Sequence, residues 1–249
     1  MKTLRYLEDQ VYSGRGGKLQ YDAFLPEMES DLSAVVCIHG GGWVSGNKTD
    51  MRQVAEYFAE RGFAAFCPQY RLAPLHPFPA AVEDCEDFVK HLRDNAKSFG
   101  LNPERIFSFG NSAGGHLSAT LAVKNSPNQV NGAVNISGLI DLTNPQSNHP
   151  SISWDFLGQF IGKPYEDNKE LWKSASPLYC VNSGSSPVMI FHGGEDDIVW
   201  QQQSERLHGE LLAAGVRTEI EILPGEGHSF SVSAFERILD KSAEFFSEL

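Results

Sequence analysis

The first group in the chain whose setting could do chemistry is the serine of Gly110-Asn111-Ser112-Ala113-Gly114, with a glycine two positions to either side. An apolar run at 105–110 precedes it and a helical pattern, HLSATLAV, follows. A strand that turns into a helix at a serine makes a tight, strained elbow, and the glycines leave room for the neighbouring chain. The hydroxyl then stands at the C-terminal edge of the sheet, where open α/β sheets bind ligands. The first turn of the helix offers free N–H groups and a partial positive charge to a developing oxyanion. The chemistry implied is nucleophilic attack on an acyl carbon; a serine that only caps a helix is the competing reading.

His39-Gly40-Gly41-Gly42-Trp43 follows the apolar run AVVCI. Glycines without side chains let a loop lie against a substrate with its amides aimed at a carbonyl oxygen. The N–H groups of Gly41, Gly42 and Ala113 are therefore the expected oxyanion donors. The Lys and Ser/Thr of a phosphate-binding loop are not in register here. A serine hydroxyl also needs a base, and that base needs an acid to fix its tautomer. Of eight histidines, His228 is the best placed, because LPGEGHSF puts it on a glycine-containing loop after an apolar run. The acid belongs on the loop after the preceding strand, where Glu195, Asp196 and Asp197 stand side by side. The chain order is serine, acid, histidine, which is that of α/β-hydrolases.

Those loops need a scaffold. Beyond an alternating segment near 19–25, six nearly unbroken apolar runs lie at 34–39, 63–68, 105–110, 130–137, 187–193 and 217–223. Strands apolar on both faces imply a buried, mostly parallel sheet. Helical patterns at 51–61, 80–98, 113–124, 201–214 and 232–246 alternate with them, as in stacked βαβ crossovers. The fold class expected is α/β, a mostly parallel sheet flanked by helices, with residues 1–249 forming one domain. The rhythm breaks at 139–186, which is rich in Pro and Gly and carries Trp154, Phe156, Phe160 and Trp172. A segment that long between two strands is more often functional than idle, and it reads as a small cap or pocket wall.

The motifs HGGGW, YRLAPLHPFPAAVED at 70–84, GNSAGG, ASPL at 175–178, HGGEDDIV and GEGHSF together resemble the hormone-sensitive-lipase-like esterases. The resemblance is stronger still to the compact carboxylesterase and acetylxylan/feruloyl-esterase-like (BD-FAE-type) branch, and it covers nearly the whole chain. It implies a carboxylesterase acting on short-chain acyl esters, acetylated or feruloylated sugars among them, through an acyl-enzyme. It places the nucleophile on Ser112, the base on His228 and, through the pattern HGxxDxxV, the acid on Asp196. Two positions depart from the family pattern: Leu75 stands where a polar residue is common, and Asp197 where Pro is common. With the sheet expected to begin within about twenty residues of the start, the N-terminal helical cap of many relatives is expected to be missing, and 139–186 is expected to be the main wall of an open, shallow acyl site. Trp43, Trp154, Phe156 and Phe160 are the expected pocket residues, and Trp154 and Trp172 are candidates to stack on a sugar or phenolic ring.

Other conspicuous groups read as structural. Arg71 and Asp84 could brace the loop after FAAFCPQY as a buried ion pair; His39 and His192 read as supports of their glycine loops, and His116 as packed or capping. Cys37, Cys67, Cys85 and Cys180 show no CxxC spacing and read as buried free thiols. No cluster has metal-ligand spacing, so neither a metal nor another cofactor is expected. A formal net charge of −12 and the lack of a basic run argue against nucleic acid. No apolar run is long enough to span a membrane. The N-terminus, MKTLRYLEDQ, has no apolar core of a signal peptide, so a cytoplasmic protein is expected. An edge strand or the late helices could form a homodimer. Competing functions are an arylformamidase-like amide hydrolase and a non-catalytic binding or receptor protein of the same fold. A peptidase of the prolyl-oligopeptidase type would need a further large domain.

Overall fold

The computed structural model describes residues 3–27 and 30–249. The reading of the N-terminus rests partly on Met1 and Lys2, which lie outside the described residues. Eight strands form one sheet: β1 (Leu4–Ser13), β2 (Leu19–Pro26), β3 (Leu32–Ile38), β4 (Ala64–Pro68), β5 (Leu101–Asn111), β6 (Gly132–Ile136), β7 (Val188–Gly193) and β8 (Thr218–Leu223). Their order is β1-β2-β4-β3-β5-β6-β7-β8. β1 and β2 run antiparallel, and β4, β3, β5, β6, β7 and β8 are parallel. This is the mostly parallel sheet that the apolar runs imply; β2 is the alternating segment near 19–25, and β1 is one strand more than the sequence reveals.

Period-two alternation sends successive residues of each strand to opposite faces. In β3, Ala34, Val36 and Ile38 join one core cluster and Val35 and Cys37 the other. The first cluster is covered by α2 (Ala80–Asp94), α4 (Ala113–Val123) and α8 (Gln202–Ala213), through Phe88, Leu117 and Leu207 among others. The second is covered by α1 (Arg52–Glu60) and α9 (Val232–Ser247), through Phe58, Ile238 and Phe246. The helix expected over 80–98 ends instead at Asp94, and a separate turn, α3 (Ala96–Phe99), closes on Gly100 at φ 69°.

The segment between β6 and β7 is made of three short helices, α5 (Pro145–Asn148), α6 (Trp154–Ile161) and α7 (Lys169–Ser174), joined by turns. Arg71 is locked to Asp84, which is wholly buried: the backbone N–H donates to Oδ2 at 2.8 Å and Nε to both oxygens at 2.9 Å. That pair braces the loop whose Ala73 N–H reaches Trp43 O at 2.9 Å. Cys37, Cys67 and Cys85 are buried free thiols, and Cys180 is a partly exposed one. Among the described residues, no helix is long and apolar enough to cross a membrane.

Candidate active site

β3 and β5 are sheet neighbours, but the chain leaves β3 toward β4 on one side and leaves β5 toward β6 on the other. A crevice opens at the C-terminal ends of two such strands. The HGGGW loop follows β3 and the elbow follows β5, so both loops flank that crevice. Ser112 itself sits at φ 55°, ψ −121°, a strained conformation for a residue with a side chain, and its N–H is anchored to Ile136 O at 2.8 Å. The glycines explain the elbow: a Cβ on Gly114 would lie 2.1 Å from Ile38 O and 2.7 Å from His39 O. Only bare backbone lets α4 start so close to the end of β3.

Gly41 lies at φ 102° and Gly42 at φ 59°. The Gly41 carbonyl is turned into its own loop, where it accepts from Val44 N at 3.1 Å and Ser45 N at 3.0 Å. The N–H groups of Gly41 and Gly42 have no hydrogen-bond partner among the described residues, and Ala113 opens α4, where an N–H has no partner inside the helix. Tyr70 supports this loop, stacking on His39 at 4.2 Å and donating its hydroxyl to His39 O at 3.0 Å.

The acid and base loops are stitched together at β7 and β8. Gly194 N–H donates to Leu223 O and Glu195 N–H to Glu226 O, each at 2.9 Å. A Cβ on Gly193 would meet Gly227 O at 2.3 Å. Of the three adjacent carboxylates, Glu195 and Asp197 are exposed while the Asp196 side chain is buried. Asp196 Oδ2 accepts from His228 Nδ1 at 2.8 Å, and Oδ1 accepts from Ile198 N at 3.0 Å and Val199 N at 2.8 Å. Burial works against its ionisation, but hydrogen bonds from His192, His228 and Val199 outweigh that and hold the carboxyl well below the usual range. His192 is fixed in turn by Ser204 Oγ at 2.7 Å and Val199 O at 2.8 Å.

Ser112 and His228 line one cavity of about 280 Å³, with Gly41, Gly42 and Trp43. Among the described residues the Ser112 hydroxyl makes no hydrogen bond to His228; such bonds are often long without substrate and tighten when it binds. Ser45 and Asn111 line the cavity beside the glycine loop and the elbow, and the rest of the wall comes from Leu139, Ser153, Phe156, Ile198 and Val199. Ser153 Oγ donates to Ile198 O at 2.5 Å, tying the 139–186 segment to the acid loop. Leu139 and Ser153 carry no signature in the sequence. Ile198 and Val199 lie in the HGGEDDIV run, whose Val199 was legible as a motif position but not as a pocket wall.

The expected pocket residues divide. Trp43 and Phe156 line the cavity, and Phe156 packs on Gly42, where an added Cβ would meet its ring at 3.0 Å. Phe160 lies one helical turn further along α6, buried against Trp43 at 4.2 Å between ring centres, behind the wall rather than in it. Trp154 falls on another face of the same helix; its Nε1 donates to His149 O at 3.0 Å and the residue is 40% exposed. Trp172 is core: 3% exposed, with Nε1 donating to Lys163 O at 2.9 Å. It therefore offers no face for stacking on a sugar. His116 is wholly buried, accepts from Trp43 Nε1 at Nδ1 (3.3 Å) and donates from Nε2 to Ala175 O at 2.8 Å. Burial pulls it down to about 4 against the opposing Ala175 bond, so it is a neutral imidazole. No group of three or more His, Cys, Asp or Glu among the described residues is arranged to hold a metal ion.

The sequence profile of the family BD-FAE matches residues 21–211. The esterase LipQ of Mycobacterium tuberculosis is 30% identical over 228 residues, covering 85% of this chain and 54% of LipQ. The chain thus spans about half the length of that relative. Among solved structures, the propionate-bound Est2 esterase of Thermogutta terrifontis superposes with a TM-score of 0.83 at 26% identity, covering 97% of this chain and 93% of the other. The same esterase phosphonylated by sarin gives a TM-score of 0.85 at 26% identity, covering 97% and 94%. A truncated carbohydrate esterase from gut microbiota shares the fold, with a TM-score of 0.82 at 22% identity over 99% and 96% of the two chains.

Proposed function

Because the chain belongs to the BD-FAE family, we propose that it is a serine carboxylesterase that cleaves short-chain acyl esters, with acetylated or feruloylated sugars as the natural class. Ser112 is the nucleophile, His228 its base and Asp196 the partner that fixes the imidazole. His228 takes the Ser112 proton as Oγ attacks the ester carbonyl; the N–H groups of Gly41, Gly42 and Ala113 stabilise the oxyanion. His228 then protonates the departing alcohol. A water repeats the sequence on the acyl-enzyme, releasing the acid and restoring Ser112.

The observation that carries this reading is the Asp196–His228 pair at 2.8 Å, opening on the cavity that also holds Ser112 and the two glycine N–H groups that have no partner among the described residues. The short-acyl preference is supported by the size of that cavity, about 280 Å³, at the small end for ligand sites. The Est2 relative, bound to propionate in one structure and phosphonylated by sarin in another, supports the same chemistry.

The test is hydrolysis of p-nitrophenyl esters of increasing acyl length, wild type beside Ser112→Ala. Activity that peaks at acetate or butyrate and disappears in the variant is the expected result. An inactive wild type that instead cleaves N-formylkynurenine would replace the ester reading with the amide one.

A further inference from the structure

We infer that a second cavity, lined by Ser147, Asn148, Trp200, Gln202, Gln203 and Arg206, is a subsite for a neutral sugar residue of the substrate's glycan chain. The inference rests on the sugar-ester reading above and says where the sugar beyond the acylated one is held. The cavity has a volume of about 370 Å³, and its link to the catalytic one is through the chain. Trp200 directly follows Ile198 and Val199, which line the catalytic cavity, and consecutive Cα atoms are only about 3.8 Å apart.

Its polar wall is fixed from behind. Asp141, almost wholly buried, accepts from Arg206 Nη1 at 2.5 Å, and its Oδ2 also accepts from Asn148 Nδ2 at 3.1 Å. Asn148 Nδ2 also donates to Thr143 O at 2.7 Å. The buried Gln203 amide accepts from Ile140 N and Asp141 N, each at 2.8 Å, and donates to Asn148 O at 3.2 Å. These bonds consume the inward-facing groups and hold the outward-facing ones in place, which lowers the ordering cost of binding.

Hydrogen-bonding capacity is left over among the lining residues. Among the described residues, Asn148 Oδ1, the Gln202 amide, Trp200 Nε1 and the Nε and Nη2 groups of Arg206 have no hydrogen-bond partner. Trp200 is 37% exposed, large and unpartnered by any other aromatic ring among the described residues. A flat apolar indole beside amide and guanidinium groups matches a sugar ring, whose C–H face packs on the ring while its hydroxyls meet the polar wall. The Arg206 charge is balanced by Asp141, so the cavity favours a neutral sugar over a uronate.

The experiment compares an acetylated xylo-oligosaccharide with p-nitrophenyl acetate for wild type, Trp200→Ala, Trp200→Phe and Gln202→Ala. Trp200→Ala should raise KM for the oligosaccharide about tenfold. Its kcat, and both constants for p-nitrophenyl acetate, should stay at the wild-type level. Trp200→Phe, which keeps a flat face, should recover most of the loss, and Gln202→Ala should raise the same KM roughly threefold. A wild type active on the oligosaccharide with no change in KM for Trp200→Ala would overturn the subsite and leave the sugar-ester reading standing. Equal losses on both substrates would overturn it too, making Trp200 a mere support of its neighbours. A wild type that cleaves p-nitrophenyl acetate but not the oligosaccharide would remove both.

Discussion

At the elbow, the glycine loop and the acid–base loops, backbone lies against backbone; in the 139–186 segment, side chain lies against side chain. Gly114 faces Ile38 O and Gly193 faces Gly227 O at distances that no Cβ would allow. Phe160, by contrast, is positioned by rings from three other stretches, Trp43 at 4.2 Å, His116 at 5.4 Å and Phe78 at 5.8 Å. The proposed chemistry thus sits on a frame with almost no freedom to drift, while the pocket wall is a packing solution that other side chains could also satisfy. Rate should respond to the first region and selectivity to the second.

The comparison is broken most severely by removing the reacting groups. Ser112→Ala and His228→Ala should each lower kcat on p-nitrophenyl acetate by about 10⁴ to 10⁶, and the double variant little further, because the groups act as a unit. Losses that simply multiply would sink the proposed pairing. Asp196→Asn should cost about 10⁴ through the wrong imidazole tautomer. Glu195→Gln and Asp197→Asn, whose side chains are exposed, should stay close to wild type.

His116 sharpens the comparison, because it joins the two regions. Its folded-state value of about 4 lies below the ordinary value of 6.5, so the unfolded chain binds the proton more readily. Stability therefore falls as pH drops from about 6.5 to 4 and the deficit levels off below that. The full shift corresponds to something on the order of 3 kcal/mol. Urea midpoints at pH 7.5 and 4.5 test this: His116→Gln should be less stable at pH 7.5 but lose less on acidification. Identical pH slopes for the two proteins would rule out His116 as a source of the loss.

Among the substitutions expected to change the enzyme, Phe156→Ala should have the smallest effect. It opens the wall beside Gly42 and should shift kcat/KM toward longer acyl chains, roughly tenfold in the ratio of hexanoate to acetate. A uniform fall across all chain lengths would instead make Phe156 part of the rigid frame.

This same division decides what could be read from the sequence. Backbone-driven features leave local marks: glycines at fixed offsets around Ser112, the run Gly40 to Gly42, and strands such as VMIF that are apolar on both faces. Those marks sufficed for the parallel sheet and for the loops that carry Ser112, Asp196 and His228. β1 escaped because it is an edge strand exposed along most of its length, with charged residues inside it and Asp9 at φ 54° interrupting its alternation. Leu139 and Ser153 escaped because they reach the cavity through packing across long sequence separations. The aromatic residues of α6 were recognisable as wall material, but which face of a two-turn helix meets the cavity is settled by its neighbours, so Phe156 and Trp154 part company.

The bond from Trp43 through His116 to Ala175 O makes the glycine loop and the 139–186 segment one mechanical unit. For protein engineering this means the wall is not an interchangeable cassette. A chimaera that imports a foreign 139–186 segment to change selectivity must also supply a carbonyl where Ala175 O now stands, or it leaves the buried His116 Nε2 without a partner and loosens the loop next to Ser112. Libraries that hold Ala175 and its turn fixed while varying the residues around Phe156 would retain far more active members than libraries that exchange the whole segment.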